Sequence, residues 1–422
     1  MSPGPRERQI TSHNGTESAA RAPSADRVAE LRALCERTLR DSWAEGERRG
    51  VRFAYTRPSP SRYPWQWYWD SCFAAVVWRR FDPRRSRAEL ETLLAAMRPD
   101  GFVGHVVFWD RRLTCRRLLY YNVTSRNAEM TGTIQPPLLA WAWRIAVGDP
   151  AAEPRIARHH EWLRANRDLD GDGLLWIVQP DESGLDASPK YDAVWGWRAH
   201  TRAGFPLLVH RNRRLGWNAR RVHDAGGPVL CEVMTNVLWG LALLATGEPS
   251  ITPALVDRLW DQRSGLFLDE AQPGRVRSTV STCAALSPLA LPDLPEAIGR
   301  RLVEEHLLEP DRYWLPVPPP SVSAAEPSFE PNRGRGIKRR YWRGPTWVNA
   351  AWLLWLGLVR LGYEDEAQTL AARLTPAILR QGSREYYDPY TGEGLGAFEF
   401  AWTTLICELA EPDLEAARHS YL

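Results

Sequence analysis

Ser24-Ala-Asp-Arg-Val28-Ala-Glu-Leu31-Arg-Ala-Leu34-Cys35-Glu-Arg-Thr-Leu39 sets the pattern for the rest of the chain. Val28, Leu31, Leu34, Cys35 and Leu39 fall at i, i+3, i+6, i+7 and i+11, one apolar stripe of a helix. Further helical segments are expected near Asp70, Arg84, Gly132, Pro150, Val229, Thr252, Val276, Leu294, Pro345, Tyr363 and Ala397. Several follow a capping pair such as Asp82-Pro83 or Thr252-Pro253. Strand signals are confined to 101–108 and 174–178, with none of the strand–helix alternation of a doubly wound sheet. About a dozen helices with no linker between them predict one all-α domain over 25–422. Helical hairpins of that number can close into a toroid of six inner and six outer helices. The long irregular stretches 102–132, 176–228 and 314–344 would then gather at one face and build a pocket.

Composition narrows the function. The chain has 54 Lys+Arg against 51 Asp+Glu, a net +3, too balanced for a nucleic-acid or membrane-surface protein. Lys190 and Lys338 are the only lysines, so the basic residues are nearly all arginine. Six scattered cysteines (Cys35, Cys72, Cys115, Cys231, Cys283, Cys407) form no C-x-x-C pair, and reduced, buried thiols are expected rather than disulfides or zinc. Residues 1–24 are rich in Pro, Ser and Arg without an apolar core, which reads as a disordered tail and a cytoplasmic chain. In such a chain the sequons at Asn14 and Asn122 carry no weight. The richest apolar run, 350–359, is far short of the ~20 residues a membrane helix needs. The 21 tryptophans among 422 residues exceed what a core requires, and Trp is a ring on which sugars stack.

Four stretches carry candidate chemistry. Tyr63-Pro-Trp-Gln-Trp67-Tyr-Trp69-Asp70-Ser-Cys-Phe73 sets one carboxylate among aromatics just before an apolar helix. Asp70 could be a mere cap there, but crowded indoles each need a partner for the ring N–H, and a sugar subsite supplies one. Asp181-Glu-Ser-Gly-Leu-Asp186-Ala-Ser-Pro-Lys-Tyr-Asp192 crowds acids beside Trp195 and Trp197, an arrangement that raises a carboxyl toward neutrality. Tyr341-Trp342-Arg-Gly-Pro-Thr-Trp347 opens a helix. Arg384-Glu385-Tyr-Tyr-Asp388 with Glu393, Glu399 and Trp402 offers a second carboxylate, and composition alone leaves Glu385, Glu393 and Glu399 open. Paired carboxylates in a Trp-rich cleft point to glycoside hydrolysis. No G-x-S-x-G elbow, Walker loop or dinucleotide fingerprint competes, and no cofactor is expected. Asp168-Leu-Asp170-Gly-Asp172-Gly imitates the start of an EF-hand, but its twelfth position is Gln179, so a tight polar turn is the stronger reading than calcium.

Taken together and in this order, these motifs resemble the six-hairpin (α/α)6 glycosidases that include trehalases and the family-63 processing α-glucosidases. They are most similar to the compact bacterial mannosylglycerate and glucosylglycerate hydrolases of family 63. The resemblance spans nearly the whole chain after the tail. It implies an inverting α-glycosidase with Asp186 as general acid and Glu385 as general base. It implies that Tyr63, Trp67, Trp69, Asp70, Gln135 (in Thr133-Ile-Gln-Pro-Pro137), Tyr341, Trp342 and Trp347 line the sugar pocket. In that scheme Asp186 is partly buried and protonated, and Glu385 is ionised. The larger relatives' N-terminal β-sandwich is missing, which favours the compact branch. The expected substrate is a small acidic glycoside, glucosylglycerate first and mannosylglycerate second, with a trehalase-like α-glucosidase or a catalytically dead sugar-binding toroid as alternatives. Candidate cations for a glycerate carboxylate are Arg198, Arg202, Arg211, Arg213, Arg214, Arg220 and Arg221.

Overall fold

Three helices are apolar on every face, and they mark where the core lies. In Tyr68–Trp78 every residue is buried, in Val233–Ala245 every residue through Leu243, and in Val348–Arg360 every residue through Val359. A helix without a polar face must be covered on all sides. The computed structural model, which describes residues 23–109, 129–331 and 341–422, shows how. With Leu139–Ala146, the turn Cys283–Leu286 running into Ser287–Ala290, and Ala401–Leu405 running into Ile406–Ala410, these helices form a ring. Each inner helix packs on the next, and the Ala401–Leu405 turn touches both Val348–Arg360 and Tyr68–Trp78, closing the circle.

The outer layer is Ala25–Ser42, Pro83–Ala96, Glu153–Arg167, Thr252–Leu259, Glu296–Leu302 and Glu364–Gln381. These helices are amphipathic. Ala25–Ser42, for example, buries Leu31, Cys35, Thr38, Leu39 and Ser42 and exposes its charged face. Pro83–Ala96 begins as its sequence suggests. Asp82 accepts the amides of Arg84 (3.1 Å) and Arg85 (3.4 Å), and Pro83 occupies the first turn. The architecture is the (α/α)6 toroid.

Small antiparallel sheets decorate it. One has the order Val276–Arg277, Glu270–Gln272, Val229–Cys231, Trp176–Ile177, with Trp176 opposite Cys231. Hairpins join Trp43–Arg48 to Val51–Thr56 and Arg384–Tyr387 to Gly394–Phe398.

Several sequence expectations shift. The helix expected near Gly132 begins at Leu139, because Pro136-Pro137 keep the preceding backbone extended. Val276 and Ala397 are in strands, and their helices start later, at Cys283 and Ala401. The stretch 176–228 is not irregular: it contains Asp192–Trp195, Trp197–His200, Gly204–Arg214 and Ala219–Asp224. Cys35, Cys72, Cys231, Cys283 and Cys407 are buried and unpaired. No helix among the described residues is long and apolar enough to cross a membrane. Most of the expected tail, both sequons, Cys115 and the middles of the 102–132 and 314–344 stretches lie outside the described residues.

Candidate active site

Most of the motif residues converge because they lie at or before the start of an inner helix. Gln66–Trp67 pairs with Val106–Val107 and runs directly into Tyr68–Trp78, so Trp69 and Asp70 occupy that helix's first turn. Gln135 precedes Leu139–Ala146, Trp347 is the N-cap of Val348–Arg360, and Glu385 lies on the hairpin before Ala401–Leu405. The Trp69 amide donates to Gln135 Oε1 at 2.9 Å. Asp70 is 3% exposed, and its Oδ1 has no hydrogen-bond partner among the described residues. Burial, and then the charge of Glu385, pushes its carboxyl well above the ordinary range.

The loop bearing Asp186 is pinned by its neighbours. Glu182 is wholly buried, takes a two-pronged ion pair from Arg167 (2.6 and 2.7 Å), and accepts the amides of Ile134 (3.1 Å) and Val178 (2.8 Å). The Ser183 hydroxyl lies 2.5 Å from that of Tyr191. Gly184 has φ +74°, and a Cβ there would sit 2.4 Å from the Trp69 ring, so only glycine lets this turn lie on the indole. Lys190 is buried between Glu232 and Asp269, 3.0 Å from the latter. Asp192 meets Arg343 at 2.6 Å. Asp186 itself is half-buried. Ala187, directly after it, holds φ +61°, a left-handed conformation that costs a non-glycine residue roughly 1–2 kcal/mol.

Across the site, Glu385 is 2% exposed. Its Oε1 accepts the Tyr341 hydroxyl, which lies 3.1 Å from the Tyr63 hydroxyl, and its Oε2 accepts the Ala397 amide at 2.8 Å. A Cβ on Gly396 (φ +70°) would come within 2.5 Å of Oε2, so glycine makes room for the carboxylate. Burial raises the Glu385 carboxyl to about 7. The Ala397 amide, Tyr63 and the charge of Arg62 oppose the rise, and Asp186 adds to it. The resemblance implies an ionised Glu385, and desolvation in this fold opposes that charge more strongly than its donors favour it. Glu393 and Glu399 are exposed, which leaves Glu385 as the one of the three within the aromatic cluster.

That cluster is continuous. Tyr63 meets Trp67 (5.5 Å) and Phe400 (5.8 Å) edge-on. Trp69 meets Trp342 (6.3 Å) and Trp402 (5.6 Å), and Trp347 meets Trp402 (5.5 Å). Trp342 and Trp347 stack at 3.8 Å and 5°, and both are fully buried. They back the pocket and are not open platforms.

Sequence reasoning named Trp402 in its motif without giving it a role; its indole donates to the Glu385 carbonyl at 2.9 Å. That reasoning passed over Arg62, one residue before Tyr63, and His105. The His105 ring lies 5.1 Å from Trp67, and burial pushes it down to about 3. Neither ring nitrogen of His105 has a hydrogen-bond partner among the described residues. A lone histidine in an apolar stretch gave no signal. The arginines proposed for glycerate are mostly surface residues. Arg198, Arg202, Arg214, Arg220 and Arg221 are exposed, Arg220 donates to the Leu169 carbonyl, and Arg211 donates to Asn212 (3.1 Å). The possible calcium turn is filled by a guanidinium: Arg258 reaches Asp170 (2.7 Å), Asp172 (2.8 Å) and Glu270 (2.9 Å). No cluster able to hold a metal occurs among the described residues.

A toroid with a half-exposed carboxyl and a buried one amid aromatics, at the starts of its inner helices, has the form of a six-hairpin glycoside hydrolase. The chain is 29% identical to the mannosylglycerate hydrolase of Thermus thermophilus, over 85% of this chain and 97% of that one. It is 28% identical to the glucosylglycerate hydrolase of Mycolicibacterium hassiacum, over 82% and 92%. The crystal structure of a Thermus thermophilus mannosylglycerate hydrolase in complex with Tris and D-glycerate superposes with a TM-score of 0.74 at 27% identity, covering 90% of this chain and 99% of that one. Residues 63–403 match the mannosylglycerate hydrolase MGH1-like glycoside hydrolase domain, and the chain belongs to that family.

Proposed function

We propose that this protein hydrolyses an α-linked glycoside of glycerate with inversion. Asp186 gives its proton to the glycosidic oxygen as the C1–O bond breaks. Glu385 takes a proton from the water that attacks C1 from the opposite face, releasing the β-hexose and glycerate. The observation that carries this reading is that one segment joins the two acids' elements: the Tyr341 hydroxyl donates to the buried Glu385, and the next amide, of Trp342, donates to the carbonyl of the half-buried Asp186 at 3.3 Å. Asp70 accepts sugar hydroxyls through its open oxygen. Tyr63, Trp67, Trp69, Tyr341 and the amide nitrogen of Gln135 surround the ring, with Trp342 and Trp347 behind. The glycerate half rests on the relatives' substrates, and the two hexose epimers are two arms of one assay. The cytoplasm is the proposed compartment, and 25–422 the proposed single domain.

Proton NMR of a fresh digest tests the chemistry: the β-anomer is expected first, and an initial α-anomer overturns inversion. A screen with glucosylglycerate, mannosylglycerate, glucosylglycerol and trehalose tests the substrate. One of the two glycerate glycosides should lead, and faster cleavage of trehalose would remove the acidic-aglycone reading.

A further inference from the structure

Tyr341, Trp342 and Arg343 are consecutive, and together they touch both carboxylate-bearing elements. The Tyr341 hydroxyl donates to Glu385. The Trp342 amide donates to the Asp186 carbonyl at 3.3 Å. Arg343 is 7% exposed. Its Nη1 donates to the Ala187 carbonyl at 2.9 Å, and its guanidinium takes both oxygens of Asp192, at 3.2 and 2.6 Å. Ala187 is the residue held at φ +61°. A left-handed alanine persists only where its surroundings enforce it, and here the enforcing group is a buried cation bonded to its carbonyl. The planar fork matters. Nη1 and Nη2 together hold Asp192 while Nη1 also reaches Ala187, a geometry that a lysine ammonium on a flexible stem does not reproduce.

We propose that Arg343 is a positioning residue for the reaction: by clamping the strained Ala187 carbonyl against Asp192, it aims the Asp186 carboxyl at the glycosidic oxygen. It touches no reacting atom and acts only through the loop. This rests on Asp186 being the general acid.

The test separates the leaving group's need for a proton from everything else. Hydrolysis of the glycerate glycoside requires the acid. Hydrolysis of the matching α-glycosyl fluoride does not, because fluoride leaves as a weak base. Arg343→Met is expected to lower kcat on the glycoside by about 30- to 100-fold, toward the lower end of what general-acid catalysis supplies. On the fluoride the loss should stay within about threefold, with KM little changed on either. Arg343→Lys should recover little, and added guanidinium should restore part of the glycoside activity. Equal losses on both substrates, or no loss, overturn the proposal. If Arg343→Met does not fold, Asp192→Asn breaks the same clamp from the other side and is read in the same way. Asp186→Ala in the same assay keeps the two ideas apart. Loss on the glycoside with the fluoride spared upholds the acid whatever Arg343 does, and loss on both or neither removes the acid assignment itself.

Discussion

The turn at 168–172 and the loop at 180–192 are both rich in acids and lie close together in the chain, but their carboxylates have different neighbours. In the first, Arg258 from Thr252–Leu259 enters from outside and meets Asp170, Asp172 and Glu270 at once. In the second, three separate cations are each held in their own ion pairs. Arg167 holds Glu182, Lys190 is buried with Glu232 and Asp269, and Arg343 holds Asp192. Asp186 is half-buried, and its carbonyl accepts the Trp342 amide at 3.3 Å. Counting acids does not find a site. The useful quantity is how deeply each acid is buried and what the fold sets beside it.

The sharpest way to break this contrast is Asp186→Asn. It should cost at least 10²-fold in turnover while circular dichroism and melting stay unchanged; unfolding instead would make Asp186 a structural residue like its neighbours. Glu385→Gln should lose more activity than Glu393→Gln or Glu399→Gln. Arg258→Met should do the reverse, lowering stability by about 2 kcal/mol, since its pairs are partly solvated, and leaving kcat within about threefold.

Two smaller effects follow from the raised Glu385 carboxyl, at about 7. Its folded value lies above its unfolded value of roughly 4.3, so the buried charge costs stability as pH climbs between the two. Glu385→Gln should therefore melt higher than the parent at pH 8 and level with it near pH 4. Because catalysis needs the ionised form, activity should rise with pH through a midpoint near 7. Tyr341→Phe removes a donor to the carboxylate, so that midpoint should move up, by less than about one pH unit. Smallest of all, millimolar calcium or a chelator should leave melting unchanged, because Arg258 already fills the 168–172 turn. A calcium-dependent shift would reopen that turn as a metal site.

The ring was legible because its inner helices are apolar all round and its outer ones are striped, as Val28 to Leu39 already indicate. The residues of the aromatic cluster around Glu385 were legible because they come in short aromatic-acidic runs. What escaped has physical reasons. Gly204–Arg214 is crowded with arginines that mask its apolar stripe of Phe205, Leu208 and Val209. Arg343 acts on Ala187 across more than a hundred and fifty residues, and no local pattern encodes that contact. The depth at which Trp342 and Trp347 lie was not legible, because a sequence gives ring identity without depth. An ionised Glu385 followed from the inverting scheme alone, whereas its loss of water depends on the whole fold.

The closing of the helical circle by 401–410 bears on how the protein comes off the ribosome. Until that segment emerges, Tyr68–Trp78 and Val348–Arg360 each lack a neighbour, and the Trp141 indole lacks the Ser420 carbonyl it donates to at 2.7 Å. Glu385 arrives almost as late. Most of the chain is therefore made before its greasiest helices can be fully covered, a period in which exposed apolar surface invites aggregation.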